Sequence, residues 1–147
     1  MSARITPHFA LGEFGQGSNY GFQPRPYPAR WIRTRLTPLC EILEILRAEL
    51  GGRSITVASG WRSEAYNRAI PPNGGARFSQ HVQGRAADIV VRGVSAKRVH
   101  ATLLRLHREG KILLGGLGAY MDSPTWTSGP AGRPGSHGGA ALVAPTD

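Results

Sequence analysis

One ten-residue run holds the side chains best suited to chemistry: Ser79-Gln80-His81-Val82-Gln83-Gly84-Arg85-Ala86-Ala87-Asp88. An imidazole and a carboxylate stand seven positions apart, and Gly84 lets the chain turn between them. Asp88 opens into Ile89-Val90-Val91, which reads as a strand, and on a strand Ala86 and Asp88 share a face. The small Ala86 leaves room beside the carboxylate for an ion and a substrate. Imidazole and carboxylate together are ligands suited to a first-row metal, zinc above all. Taken as a bare pair, the two residues describe no more than a surface histidine and a strand-edge aspartate.

The elements that must position this run can be read from hydrophobic spacing. Ile32, Leu36, Leu39, Leu43, Leu46 and Leu50 recur at intervals of three and four, which predicts helix. The pattern turns helical from Ala29 and Pro38 interrupts it; with Thr37 as N-cap, a short turn and then a helix over about 38–50 are expected, and Gly51-Gly52 ends it. Residues 54–59 read as a strand with Ile55 and Val57 on one face, and 86–92 as a second, more buried strand. Glu64 to Ile70 suits a short helix, and Ser95 caps another that runs to about Glu109, with Val99, Leu103 and Leu106 in one stripe. Gly115 to Met121 suits a third strand. The segment Gly15–Pro28 reads as a loop or extended arm. Residues 123–147 hold five Gly and four Pro without periodicity, so disorder is expected there. Strands and helices mix without βαβ alternation, which predicts an α+β fold: a small, largely antiparallel sheet with the 38–50 and 95–109 helices packed against it.

The ten-residue run resembles, at every fixed position, the Ser-x-His-x-x-Gly-x-Ala-x-Asp signature of the zinc D-Ala-D-Ala peptidases, in particular their small single-domain branch. Ala58-Ser59-Gly60-Trp61-Arg62-Ser63-Glu64-Ala65-Tyr66-Asn67 is similar to that branch's Ser-Gly-Tyr-Arg-Ser…Asn segment. His8 to Phe14 looks like its N-terminal anchor, and Gly115 to Tyr120 also fits, so the likeness covers about residues 8–121. The resemblance implies a fold of the Hedgehog/DD-peptidase type and cleavage of peptide bonds in peptidoglycan stem peptides. It implies Zn2+ as cofactor, with His81 and Asp88 as ligands. It places Arg62 near the metal, where a guanidinium stabilises an oxyanion or a substrate carboxylate. By position alone Arg62 is one of sixteen arginines. Ser79 is either a substrate-binding hydroxyl or a residue that shapes the loop before His81.

The resemblance breaks after Tyr120. Catalytic zinc takes three protein ligands and keeps a fourth position open. The family's third ligand comes from a late Phe-x-His-Val-Asp strand, whereas this chain reads Asp122-Ser123-Pro124-Thr125-Trp126-Thr127-Ser128-Gly129. Codons for Pro124 to Gly129 can be chosen so that a shifted frame spells His-Val-Asp-Val-Arg, with Phe-Thr before it, which suggests a frameshift just after Tyr120. The domain is therefore expected over 1–121, truncated at its last strand, with 122–147 a Gly/Pro-rich tail. The only later histidine is His137, in that tail. His8 belongs to the anchor, and His100 and His107 to a helix surface or core edge.

Composition limits the alternatives. Cys40, the single cysteine, excludes an internal disulfide and any multi-Cys zinc site, and it fits a small core position. No apolar run reaches the roughly 18–20 residues of a membrane span. No secretory signal is visible, so the expectation is cytoplasmic synthesis with release to the wall by other means. The net charge of +9 comes mostly from arginines scattered from Arg4 to Arg133. It suits an acidic partner, but a GC-rich genome also accounts for it, and no nucleic-acid-binding motif accompanies it. Beside the impaired zinc peptidase stand a non-catalytic wall-binding or vestigial module and a basic nucleic-acid binder.

Overall fold

The computed structural model describes residues 3–71, 73–75, 79–120 and 139–146. The chain enters through a small hairpin, in which β1 (Arg4–Thr6) pairs antiparallel with β2 (Phe9–Ala10). A 3-10 turn at Leu11–Phe14 follows and buries Phe14 against Phe9, with ring centroids 6.4 Å apart. The glycine- and proline-rich arm then folds back on itself through a bridge between Gln16 and Arg25.

The short turn expected before the first helix is itself helical and continuous with it. A 3-10 turn at Ala29–Trp31 and a π turn at Ile32–Leu36 lead directly into α1 (Thr37–Glu49). Thr37 is therefore not an N-cap. Its backbone is already helical, and its hydroxyl donates back to the Ile32 carbonyl at 2.9 Å. Pro38 is tolerated there because it falls in the first turn, where a missing N–H costs little. Ser63 and Ser95 do act as caps. Each side chain accepts a backbone N–H three residues on, at the starts of α2 (Glu64–Ala69) and α3 (Ala96–Arg108).

The main sheet is four-stranded and antiparallel throughout, as an α+β fold requires. Its strands are β3 (Ile55–Ser59), β4 (Ala86–Val91), β5 (Gly116–Tyr120) and β6 (Gly139–Val143), in the order β3-β4-β6-β5. Ala87, Ile89 and Val91 on β4 and Ala140 and Leu142 on β6 point into the core. There they meet Leu39, Leu43 and Leu46 of α1 and Val99, Leu103 and Leu106 of α3. Burying each such leucine is worth about 1.5–3 kcal/mol.

The strand β6 corrects the expectation of a disordered tail from 122 onward, and with it the domain limit at 121. Residues 139–146 belong to the domain, with β6 inserted between β4 and β5. The physical reason is local. Glycine and proline averaged over 25 residues conceal the apolar run Gly139-Ala140-Ala141-Leu142-Val143, whose small side chains suit a strand flanked on both sides. Residues 121–138, including His137 and the proposed frameshift segment, lie outside the described residues.

Candidate active site

The site forms where β3 ends, β4 begins and the turn between Ser79 and Gly84 closes over them. Two glycines make this possible. At Gly60 a Cβ would lie 2.6 Å from the Phe14 carbonyl oxygen, so only glycine lets β3 leave the sheet that close to the 3-10 turn. The Trp61 N–H donates to the same carbonyl and fixes the approach. Gly84 has φ +72°, in the left-handed region, and a Cβ there would meet the Tyr27 hydroxyl at 2.7 Å and the Trp31 ring at 2.9 Å. Its conformation returns the chain from His81 into β4, and the Tyr27 hydroxyl locks it by donating to the Gly84 carbonyl at 2.9 Å.

His81 and Asp88 are thereby brought together, both buried. The His81 Nδ1 lies 2.7 Å from the Gly60 carbonyl oxygen, and its Nε2 lies 3.2 Å from Asp88 Oδ1. A carbonyl only accepts, so Nδ1 carries the hydrogen, and a neutral ring then presents the Nε2 lone pair toward the carboxylate. Two electron-rich atoms face each other in that state, an arrangement that a cation relieves. It is also how metal-ligating histidines are held, with the second nitrogen donating to a carbonyl. Tetrahedral zinc with ordinary Zn–N and Zn–O lengths separates two donors by about 3.4 Å, close to the spacing here. His81 and Asp88 thus fit two positions around a zinc ion.

Arg62 joins them from the turn after β3. Its Nη2 is 3.7 Å from Asp88 Oδ2, its Nη1 donates to Asn67 Oδ1 at 3.0 Å, and its Nε donates to Ser59 Oγ at 3.4 Å. Its backbone N–H donates to the His81 carbonyl. Asn67, buried on α2, is a residue whose role the sequence left unread; the signal was its spacing from Arg62. Ser79 accepts the His81 N–H at 3.2 Å, so its hydroxyl shapes the turn. The four residues singled out from sequence are therefore neighbours. A cleft of about 560 Å³ opens beside Ser79 and Asn67, lined also by Gln80 and Gly75, while Arg62, His81 and Asp88 lie outside its lining.

Among the described residues no group of three or more His, Cys, Asp or Glu side chains could hold a metal ion. The register shows why. Asp88 is directly opposite Ser59 on β3 and Ala141 on β6, and Ser59 is engaged by Arg62 while Ala141 ends in a methyl group.

The family model described as Peptidase M15 matches residues 17–123. The chain belongs to the peptidase M15 family. This is a family of the zinc D-Ala-D-Ala peptidase type, zinc-dependent as a family. No curated protein matches the chain. The M15 match contains Arg62, Asn67, His81 and Asp88 and stops just after β5, so β6 lies outside it. The hairpin and Phe14 lie before it. No helix among the described residues is long and apolar enough to cross a membrane.

Proposed function

We propose that this M15 chain is a zinc peptidase domain directed at peptidoglycan stem peptides, with a metal site lacking its third protein ligand. The observation that supports it is the convergence of His81 and Asp88 at ligand spacing, with His81 Nδ1 anchored on the Gly60 carbonyl. The residues that would hold the ion are His81 and Asp88. A bound zinc ion contributes polarisation of the scissile carbonyl and activation of water. The protein's own part is to orient. Arg62, held by Asn67 and Ser59, presents a guanidinium beside Asp88, where it pairs with a substrate carboxylate or a developing oxyanion. The adjoining cleft, with Ser79, Asn67 and Gln80 in its lining, receives the peptide.

Two ligands hold zinc weakly. That favours a second reading for the chain as it stands: a wall-binding module that keeps the groove and hydrolyses little. One experiment separates the two. Zinc content and release of D-Ala or peptide from purified peptidoglycan are measured for the present chain and for a form restored to the alternative frame after Tyr120. The expected result is little zinc and little hydrolysis in the first, stoichiometric zinc and hydrolysis in the second, and loss of both on His81→Ala in the restored form. Full activity of the present chain means that a residue outside the described set, such as His137, completes the site. Absence of zinc and activity in the restored form overturns the peptidase reading. The nucleotide sequence around codons 121–130 tests the frameshift directly.

A further inference from the structure

The arginines that look scattered in sequence are partly gathered by the fold. Just before α1 the Arg30 and Arg35 guanidinia lie 4.4 Å and 4.0 Å from the centroid of one ring, that of Trp31. Arg35 Nη1 also donates to the Gln83 carbonyl at 2.7 Å, and Trp31 abuts Gly84. Arg85 follows in the chain. The Tyr27 phenol, pushed up by burial, is pulled back by Arg35 and Arg85 together, so both cations border the same turn. Arg33 is exposed on the same short segment. Some cations elsewhere are paired, Arg62 with Asp88, Arg68 with Glu64, Arg105 with Glu49 and Glu109, Lys111 with Glu109, while others such as Arg47, Lys97 and Arg98 have no ion pair either among the described residues; what sets this segment apart is two guanidinia on one ring. Arg30, Arg33 and Arg85 have no carboxylate within ion-pair distance among the described residues.

Like charges held around a single ring repel one another. The π face and one carbonyl offset only part of this, a cation–π contact at an exposed site being worth about 0.5–1 kcal/mol. An anion relieves the remainder. Because the guanidinia are distributed along a segment rather than converging on a point, they suit charges that repeat along a chain. Trp31 is already engaged by two guanidinia, which disfavours a ligand that needs an open ring for base stacking.

We propose that this arginine–tryptophan patch, formed by Arg30, Arg33, Arg35 and Arg85 beside the turn that carries His81, binds a polyol-phosphate chain. The choice of that polymer, which a cell wall supplies, rests on the wall-directed reading above; the binding of a repeating phosphate anion rests on the patch alone.

The test measures binding of purified poly(glycerol phosphate) to the full chain across a salt titration, without peptide or metal, so that it is read separately from hydrolysis. Arg30→Gln/Arg33→Gln is compared with Lys97→Gln/Arg98→Gln, which removes the same charge from the exposed side of α3. The patch variant is expected to weaken binding about tenfold and flatten its salt dependence, and the α3 variant to change it by less than about twofold. If the patch variant melts early, Arg85→Gln carries the same expectation. Equal weakening by both variants reduces the effect to net charge and overturns the proposal. So does absence of polymer binding at low salt, or preferential binding of duplex DNA at equal phosphate concentration.

Discussion

At the scale of single residues, Asp88 is held from both sides. It is buried, with His81 Nε2 against one carboxylate oxygen and the Arg62 guanidinium near the other. Asp88→Asn keeps the shape and removes the charge, leaving the guanidinium beside a neutral amide. On the proposed reading, any zinc binding of the present chain is expected to fall to background by calorimetry. Thermal stability should drop by about 1–3 kcal/mol, the usual result of depriving a buried polar group of its partner. Unchanged zinc affinity would exclude Asp88 as a ligand. The contribution of Arg62 depends on geometry as well as charge. Its planar fork reaches Asp88, Asn67 and Ser59 at once, which a lysine cannot do.

At the scale of elements, β6 decides what the site can hold. On an antiparallel sheet directly opposed residues have Cβ atoms about 4.5–5.5 Å apart on one face, so position 141 is within side-chain reach of Asp88. Ala141→His is expected to add a third donor beside His81 and Asp88 and to raise zinc affinity by at least tenfold. With cobalt substituted for zinc, the variant should show the visible absorption of a tetrahedral ion. A spectrum like that of the unmodified chain would mean that β6 does not run beside β4 in this register. The N-terminal hairpin is held differently, by Glu44 of α1, which accepts from both the His8 backbone N–H and the His8 ring at 2.7 and 2.8 Å. Burial pushes the Glu44 carboxyl up, but the hydrogen bonds from the His8 backbone N–H and ring pull it further down, leaving it below the ordinary carboxylate value. A folded-state pKa below the unfolded one stabilises above the unfolded value, and the benefit is lost as pH falls through the folded one. Hydrogen-exchange protection of Arg4–Ala10 should therefore fall at acid pH before that of β4. Simultaneous loss in both would show that Glu44 does not hold the hairpin.

At the scale of the whole molecule, one core joins the hairpin, α1, the four-stranded sheet and α3. Cys40 sits inside it, and burial, reinforced by Glu13, Glu44 and Glu41, pushes its thiol up to about 12. The thiolate is the reactive form, so Cys40 is expected to resist alkylation at pH 8 until the whole domain unfolds, with labelling and melting coinciding. Labelling well below the melting transition would reveal local opening around α1. Much of this architecture was legible in the sequence. Hydrophobic spacing marked α1 and α3, Ser95 marked where α3 begins, and the run from Ser79 to Asp88 marked the candidate site, because these patterns reflect interactions between residues near in the chain. The spacing of Ile32 and Leu36 already points to helical structure from Ala29, but Pro38 reads as a fresh start with Thr37 as its cap, because a proline in a continuous helical run is normally a break. Sequence reasoning sets 139–146 aside because a strand of glycine, alanine, leucine and valine is stabilised by its neighbours β4 and β5, which lie far away in sequence. The candidate ligand types, and the absence of a Phe-x-His-Val-Asp run after Tyr120, were determined by the sequence alone. That Asp88 faces Ala141, that Gly60 supplies the carbonyl for His81, and that Arg30, Arg35 and Arg85 gather at one turn were decided only by the tertiary structure, because strand register and backbone approach are properties of long-range pairing.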